Sequence, residues 1–481
     1  MAFRLALRTP RSYAFNNNLS ITARRAYSTS KESTYFTVEL SPKTKDLSQL
    51  LQTVKSQIKI TNPSRHDAAV ILATPQYAQW LEKDGFMSEF VELLSGSEKA
   101  EHFHFHILGA VVDHIAPPVP SNKPIQGLSI LRGKLDSILP GLWTPEGPKA
   151  REDADKVAAL TMDLGNPHIT IPLTNTTFQN HKTSTLIVSR YDLSQDSPKL
   201  VEQTEKNSQQ ITLPLQKKLP SINDLGIWAP LVPLTHPRVV TESFGNIVRR
   251  INIDNESVPA SNELEPAVDE LHTRKSDLVQ SPMGIWAIIT PPTFDQPGNS
   301  SSSVDPDPEV TFSEDLNITD LVASTSGHLA GLYKQGGRLY QILSGGGGWG
   351  AKKGLLSLDP QRTHFALSEE EEMQRFIQAM DGGNFVPVGS KIQFFASTET
   401  SAAETVGDRK TAIVFGTASK GESEADTQSS QPEASLLEDH FGALSDDGIF
   451  VTSADAAAVT TPGFNNDWKL NVPNSRIYVK I

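Results

Sequence analysis

Residues 344–354 read SGGGGWGAKKG, a stretch of nearly bare backbone that includes a tryptophan and two lysines. Glycine loses more conformational freedom on folding than any other residue, and flexible linkers usually interleave it with serine. The combination with Trp and Lys therefore predicts a loop whose backbone N–H groups hold a phosphate or carboxylate, assisted by a lysine. The predicted ligand-binding residues are Gly345, Gly346, Gly347, Gly348, Trp349, Gly350, Lys352 and Lys353.

This glycine loop departs from the known phosphate-binding motifs. In a P-loop the last glycine precedes Lys and then Ser or Thr, whereas Gly350 precedes Ala351. Three of the glycines fit the spacing of a dinucleotide fingerprint, but a glycine run does so almost automatically. Trp349 favours a pocket, because an indole supplies a flat apolar wall and one N–H donor. The alternative is a structural loop in which Trp349 anchors the chain to the core.

Two residues after the loop are candidates for acid–base catalysis. Asp359 and His364 lie in LSLDPQRTHF, close enough in sequence to share a pocket with the glycines. Such a pocket would make the protein an enzyme that acts on a phosphorylated metabolite or a nucleotide. No nucleophile elbow accompanies them. Catalytic residues and cofactors therefore stay unassigned at this point.

Histidines alternate with phenylalanines in the segment HFHFHILGAVVDH. On a strand, His102, His104 and His106 share one face. Such a face can bind zinc, copper or non-haem iron, with Asp113 or His114 as further ligands. Three alternate residues of one strand seldom converge on one ion without a bulge. We therefore expect no metal here, and a half-buried strand with a polar face.

Hydrophobic periodicity indicates the elements that precede and include this strand. A helix is predicted from Asp46, followed by a strand at AAVILATP that is buried on both faces. The segment QYAQWLEKDGFMSEFVELLSGS is predicted to be helical with a break at Gly85, and the histidine segment is predicted to be a strand. The order helix, strand, helix, strand predicts at least two neighbouring parallel strands.

Around the glycine loop, TDLVASTSGHLAGLYKQGG predicts a helix closed by Gly336 and Gly337, and RLYQILS predicts a strand. The segment AKKGLLSL is expected to start a helix that points its N–H groups at the ligand. A further short helix is predicted after Ser368. Val- and Ile-rich runs between turn residues predict many strands. The expected fold class is α/β to α+β, with mixed sheets flanked by helices and several disordered loop insertions.

Polar stretches interrupt this pattern. They begin at Ser194, Ile253, Asp295 and Thr417, and each is predicted to be a loop or a disordered insertion. The predicted organisation is a presequence at 1–27, an N-terminal α/β domain at 36–193, and a C-terminal α+β domain at 208–481 with the glycine loop 344–354 and insertions near 295–308 and 417–435.

The first 27 residues contain five arginines and no acidic residue, which is the composition of a transit peptide. The stretch RRAYSTS resembles the cleavage site of a mitochondrial matrix presequence, with Ser28 as the new N-terminus. We therefore expect the mitochondrial matrix as the location. A spanning helix needs about 18 or more apolar residues in a row, and no such run occurs, so no transmembrane segment is expected.

Charge and cysteine content exclude several classes of function. The formal net charge is −13, and removal of the five arginines of residues 1–27 changes it to −18. An acidic protein is poorly suited to general nucleic-acid binding, because phosphate contacts supply most of that affinity. The chain contains no cysteine. Cysteine-ligated zinc and iron–sulfur sites, disulfides and thiol nucleophiles are thereby excluded.

The run DAAVILATPQYAQWL, followed by FHILGAVVDHI, resembles the N-terminal half of FIST domains. The run PRVVTESFGNIVRRINIDNESVPASNELEPAVDEL is similar to their C-terminal segment. The resemblance covers roughly residues 36–295, so the glycine loop lies beyond it. It implies a ligand-sensing domain for small molecules such as amino acids, without an established catalytic set.

Three functions stay open on the sequence. The first is a matrix protein that binds a small anionic ligand through the glycine loop and is sensory or regulatory rather than catalytic. The second is the enzyme described above. The third is an assembly or maintenance factor for respiratory complexes that acts through a mitochondrial protein partner. A buried Trp349 beside Lys352 favours a ligand, and an exposed Trp349 favours a partner.

Overall fold

The structure is a computed structural model in which residues 33–481 form one compact unit. The residues that it describes are 35–41, 51–52, 54–56, 66–96, 103–118, 123–145, 157–194, 197–215, 218–219, 224–274, 284–292, 317–345, 354–359, 386–399, 413–419, 434–453 and 467–479. The expected presequence, the helix after Ser368 and the polar stretch from Asp295 lie outside these segments.

Strands dominate the described residues. In chain order the first are β1 (Tyr35–Leu40), β2 (Ala68–Ala73), β3 (His104–Val111), β4 (Gly127–Gly133), β5 (Ala159–Asp163), β6 (Pro167–Pro172), β7 (Asn175–Thr176), β8 (Lys182–Ser184), β9 (Leu186–Asp192), β10 (Lys199–Glu205), β11 (Ser208–Thr212), β12 (Leu225–Trp228) and β13 (Leu231–Pro233). The later ones are β14 (Arg238–Phe244), β15 (Ile247–Ile253), β16 (Glu256–Pro259), β17 (Ile285–Thr290), β18 (Arg338–Gly345), β19 (Leu356–Leu358), β20 (Lys391–Ser397), β21 (Ile413–Thr417), β22 (Ala434–Glu438), β23 (Phe441–Ser445), β24 (Ile449–Ser453), β25 (Asp467–Leu470) and β26 (Arg476–Val479).

Helices are fewer. They are a 3-10 helix (Pro75–Glu82), α1 (Asp84–Ser95), α2 (Leu135–Ile138), α3 (Thr177–Asn180), α4 (Ser261–Arg274) and α5 (Ile318–Lys334), with helical residues also at 51–52 and 54–56. Gly336 follows α5 with φ +77°, the left-handed closure predicted for it. Within the described segments, no helix combines the length and the hydropathy needed to cross a membrane.

The first sheet has seven strands in the order β10-β9-β3-β2-β4-β1-β22. β2 and β3 run parallel, as predicted. All six residues of β2 are buried. The reason is that Ala69 and Ile71 join a hydrophobic cluster with α1 and the 3-10 helix, whereas Val70 and Leu72 join a second cluster on the opposite face. The prediction of a strand buried on both faces is confirmed.

Two further sheets lie against this framework. One has five strands in the order β11-β5-β6-β24-β25, and the other has four in the order β12-β26-β21-β23. Polar side chains join the four-stranded sheet to the first sheet. Ser129 Oγ accepts from Gly442 N at 3.2 Å and lies 2.9 Å from Thr37 Oγ1, which also contacts His440.

The remaining strands form a closed antiparallel sheet. Hydrogen-bond pairing runs from β14 through β15, β19, β18, β17 and β20 and returns from β20 to β14. β13 and β16 add to β20 and β15 at the rim. This closed sheet carries the strands on either side of the glycine loop, so it is the scaffold that positions the predicted site.

The closed sheet has a packed apolar interior. Ala287 of β17 pairs in register with Tyr340 of β18 on one side and with Phe394 of β20 on the other. These three side chains belong to one hydrophobic cluster to which all six strands contribute. Leu264 of α4 and Leu321 of α5 join the same cluster. The neighbouring residues of opposite parity pack in a different cluster, on the outer face.

The predicted fold class, α/β to α+β with mixed sheets and flanking helices, is confirmed on its α+β side: the sheets are mixed and the helices are few. The prediction of loops is wrong for two of the polar stretches, because they form strands and a helix. The stretch from Ser194 contains β10 and β11, and β10 tolerates polar residues because it is an exposed edge strand. The stretch from Ile253 contains β16 and α4, which buries Leu264 and Leu271. Of the stretch from Thr417, the structure describes β21, which ends at Thr417, and β22.

One predicted helix and one predicted helix break also differ from the structure. The prediction that a helix starts in AKKGLLSL is wrong, because Leu356–Leu358 form strand β19. Leu356 and Leu358 both pack into the interior cluster, which is the period-two alternation of a strand. The expected break at Gly85 lies instead at Lys83, between the 3-10 helix and α1.

Sheets cross the expected domain boundary between residues 193 and 208. β22, from the C-terminal half, pairs with β1 in the first sheet. β24 pairs with β6 in the second sheet. β9 and β10, which flank residue 193, form one antiparallel pair. The two segments therefore share hydrogen-bonded sheets and a common core.

Candidate functional site

The glycine loop connects two neighbouring antiparallel strands of the closed sheet. Gly345 at the end of β18 stands opposite Leu356 of β19. Residues 346–353, and with them Trp349, Lys352 and Lys353, lie outside the described part of the chain. The structure therefore locates the candidate site through the two ends of the loop, Gly345 and Gly354.

The C-terminal end of the loop rests on the first turn of α4. The backbone oxygen of Gly354 accepts a hydrogen bond from Ser261 N at 3.2 Å. Gly354 has φ +84°, and a Cβ atom there would lie 2.5 Å from Cβ of Pro259. Both facts require glycine at this position. Lys352 and Lys353 precede Gly354 directly, so the chain confines their Cα atoms to within about 7 Å of it.

A helix start of this kind attracts anions. The first N–H groups of a helix have no partner within the helix, and the aligned peptide dipoles place roughly half a positive charge there. α4 has 14 residues, long enough to carry that dipole. Lys352 and Lys353, which precede Gly354 in the sequence, are the candidates for adding positive charge to such a site. The arrangement can bind a phosphate or a carboxylate.

An ion pair keeps the first turn of α4 from repelling such an anion. Glu263 in this turn accepts from Arg238 Nε at 2.8 Å and Arg238 NH2 at 2.6 Å, both on its Oε1 atom. The hydrogen bond to Glu263 raises the pKa of Arg238 above its ordinary value. The carboxylate is thereby neutralised by its own partner. Its second oxygen, Oε2, is buried and has no hydrogen-bond partner among the described residues.

Asp359 lies at the opposite end of β19 from the loop. Its backbone N–H donates to Gln341 O at 2.8 Å, next to the contact between Leu358 N and Asn246 O. Four residues, 355–358, lie between it and Gly354, and three of them are the length of β19, so the separation is at most roughly 16 Å. His364 lies outside the described residues. The structure thus does not bring Asp359 to the end of the loop that rests on α4.

The histidine strand forms as predicted, and His104 is exposed. His106 is half-buried and accepts a hydrogen bond on Nδ1 from Trp143 Nε1 at 3.0 Å. Arg190 stacks over Trp143, with the guanidinium carbon 5.5 Å from the ring centroid. His102 lies outside the described residues. Among the residues that are described, no three metal-ligating side chains converge.

Replacing Trp143 by phenylalanine will raise the pKa of His106. Burial lowers that pKa in the native protein. The Trp143 N–H stabilises the neutral ring further, because Nδ1 accepts a hydrogen bond only while it carries no proton. An NMR titration of the His106 ring protons measures the change. Trp80→Phe, whose ring packs on Tyr77 and Phe86, is the control. An unchanged titration in Trp143→Phe would contradict the assignment.

Sequence reasoning missed Ser261, Arg238 and Glu263. Ser261 lies in SVPASNELEP, where a small polar residue followed by acidic residues is a typical helix start. That signal was available, although the preceding polar run favoured a loop. The contact of Arg238 with Glu263, 25 residues later, carries no comparable local signal.

Comparisons with known proteins found no matching family model, no matching curated protein and no matching solved structure.

Proposed function

We propose that this protein binds a small anionic ligand through the glycine loop and acts as a sensory or regulatory protein of the mitochondrial matrix. The observation that carries the proposal is the hydrogen bond from Ser261 N to Gly354 O, which places the end of the loop on the start of α4. Loop N–H groups, helix N–H groups and two lysines then surround one anion. The arginine-rich, acid-free first 27 residues support the location.

A binding role is favoured over catalysis by the placement of Asp359. A general acid or base must reach the reacting group within about 3 Å, directly or through one water. Asp359 follows β19 at its far end from Gly354, next to Asn246. The resemblance to FIST domains also favours a sensory role, because it implies no catalytic set.

Lys352→Ala/Lys353→Ala will weaken anion binding by tenfold or more. Removal of each ammonium near a bound anion costs about 1 kcal/mol at a partly exposed site. The measurement is thermal stability of the full chain titrated with pyrophosphate, orthophosphate, citrate and acetate. A ligand at 100 times its Kd adds about 2.7 kcal/mol of stability, enough to detect.

The matched control is Lys55→Ala/Lys199→Ala, which removes two exposed lysines elsewhere and changes the net charge equally. We expect the control to bind anions as the wild type does, with an affinity that falls as salt is added. Failure of all four anions to stabilise the wild type would contradict the proposal, as would equal affinities in the two double variants. In that event a protein partner for the loop becomes the leading function.

A further inference from the structure

Large apolar side chains are exposed on one part of the closed sheet. Among the described residues, seven large apolar side chains are exposed, and four of them lie on this sheet or on the turn that leads into β20. These four are Val239, Phe244, Leu343 and Val388. Phe244 is 66% exposed and Leu343 is 58% exposed. Exposed apolar side chains that lie together usually mark a surface that binds another segment or molecule.

Strand pairing joins Phe244 and Leu343 in one row across four strands. Phe244 of β14 pairs with Ile247 of β15, and Ile247 also pairs with Ser357 of β19. Ser357 pairs with Ser344 of β18, and Leu343 directly precedes Ser344 at a bulge. Three gaps between strands make this row roughly 14 Å wide, which is close to the diameter of a helix with its side chains. We call Phe244, Ile247 and Leu343 the apolar row.

The apolar row faces away from the packed interior of the closed sheet. Val248, the residue after Ile247, belongs to the interior cluster. Ile342, the residue before Leu343, packs against the same cluster. Side chains alternate between the two faces of a strand, and paired residues share a face, so Ile247, Leu343 and Phe244 point outward. The row is thus an apolar surface on the outside of the sheet.

Residues 360–385 connect β19 to Val386 and lie outside the described part of the chain. Both ends of this segment are held by the turn between β14 and β15. Leu358 O, near its start, accepts a hydrogen bond from Asn246 Nδ2 at 2.7 Å. Val386 O, at its end, accepts a hydrogen bond from Ser243 Oγ. The exposed phenylalanine of the apolar row lies between these two donors in the sequence, so the segment leaves and rejoins the sheet beside the row.

The sequence of the segment contains an apolar stripe at helical spacing. Residues 368–380 read SEEEEMQRFIQAM, the helix predicted after Ser368. Its large apolar residues recur at i, i+3, i+4 and i+7, and they are Met373, Phe376, Ile377 and Met380. An isolated helix of about 12–15 residues is only marginally stable in water, so a helix here requires an apolar surface to pack against.

The length of the chain keeps such a helix close to the apolar row. A helix over residues 368–380 is about 20 Å long. Residues 381–385 join its end to Val386 and span at most roughly 21 Å. Residues 360–367 join Asp359 to its start and span at most roughly 32 Å. Both ends of the helix therefore stay within these distances of the β14–β15 turn, and the helix is long enough to cross the row.

We propose that residues 368–380 form an amphipathic helix that packs its apolar stripe on the apolar row. The outer surface of β14, β15, β19 and β18 is then an interaction surface whose occupant is a segment of this chain, and not a second molecule. The docked helix also ties these four strands together from outside the closed sheet. The proposal does not depend on anion binding at the glycine loop.

Disulfide trapping in the full chain tests this proposal, and the absence of native cysteine makes its result unambiguous. Phe244→Cys is combined in turn with Phe376→Cys and Ile377→Cys on the stripe, and with Arg375→Cys and Gln378→Cys on the opposite helix face. A disulfide forms only where two Cα atoms approach within about 7 Å. We expect an intramolecular disulfide to form at least tenfold faster with a stripe position than with either position of the opposite face.

The matched control for the sheet position is Phe178→Cys combined with Phe376→Cys. Phe178 is 95% exposed on α3, away from the closed sheet, and it should form no intramolecular disulfide with the helix. Equal rates for the two helix faces would overturn the proposal. Disulfides between two chains, in place of disulfides within one, would also overturn it, because a second copy of the chain would then be the occupant of the row.

Hydrogen exchange of the protein with its native apolar row gives an independent measurement. The amides of residues 373–380 should exchange at least tenfold more slowly in the wild type than in an unstructured chain. Phe244→Ser should remove this protection and leave the amides of β2 protected, which shows that the fold is intact. Phe178→Ser should change neither. Unprotected amides at 373–380 in the wild type, or wild-type protection in Phe244→Ser, would overturn the proposal.

Discussion

Replacing Phe394 by alanine will lower the free energy of unfolding by about 3–5 kcal/mol. Phe394 is fully buried at 0% exposure inside the closed sheet, where it pairs in register with Ala287. The variant leaves a cavity lined by strands that hydrogen bonds tie into a ring, so the walls cannot collapse inward to fill it. Urea unfolding followed by circular dichroism measures the difference.

Phe178→Ala is the matched control for that substitution. Phe178 is 95% exposed on α3, so the same side-chain deletion removes almost no packing. We expect a change within about 0.5 kcal/mol. Equal effects of the two substitutions would contradict a packed interior for the closed sheet, and the glycine loop would then lack the rigid scaffold assigned to it.

Acid will destabilise the native protein through His440. Burial lowers the pKa of His440 to about 4, and the ordinary value is 6.5. The unfolded chain therefore binds a proton at higher pH than the folded one. The neutral His440 ring therefore destabilises the native state only in acid. The free energy of unfolding is unaffected by this group above pH 6.5, and it falls by about 3 kcal/mol in total as the pH drops towards 4.

His440→Gln will flatten the pH dependence of unfolding between pH 6.5 and 4. The native ring lies between Thr37 Oγ1, which is 3.0 Å from Nδ1, and the backbone of Pro117. Neither of these partners carries a charge, so neither would stabilise a buried imidazolium. The readout is the slope of unfolding free energy against pH, which a uniform loss of stability does not change. His236→Gln, at an exposed histidine, should keep the native slope. An unchanged slope in His440→Gln would contradict the assignment.

Local patterns predicted the elements whose neighbours are close in sequence. The apolar run of β2, its parallel pairing with β3 and the closure of α5 at Gly336 all follow from periodicity and from turn chemistry. The closed sheet could not be predicted in this way. β20 pairs with β14 and with β17, which lie far before it in the chain, and each pairing depends on register rather than on composition.

The same distinction between local patterns and distant contacts applies to the candidate site. The glycine loop is visible as a motif, because bare backbone beside Trp and Lys is unusual. Its anchoring to α4 is not visible, since the contact of Gly354 with Ser261 joins residues that the sequence assigned to unrelated segments. The partner of His106 was hidden likewise, because Trp143 reaches it from a turn 37 residues later.

The most direct test of the account is the amide NMR spectrum of the full chain during a titration with pyrophosphate. We predict saturable shifts of the amides of Gly354, Asn262 and Glu263, because the anion is held by the loop and by the first turn of α4. Amides near His114 should not move. Shifts confined to other regions, or no saturable shift at all, would contradict anion binding at the glycine loop.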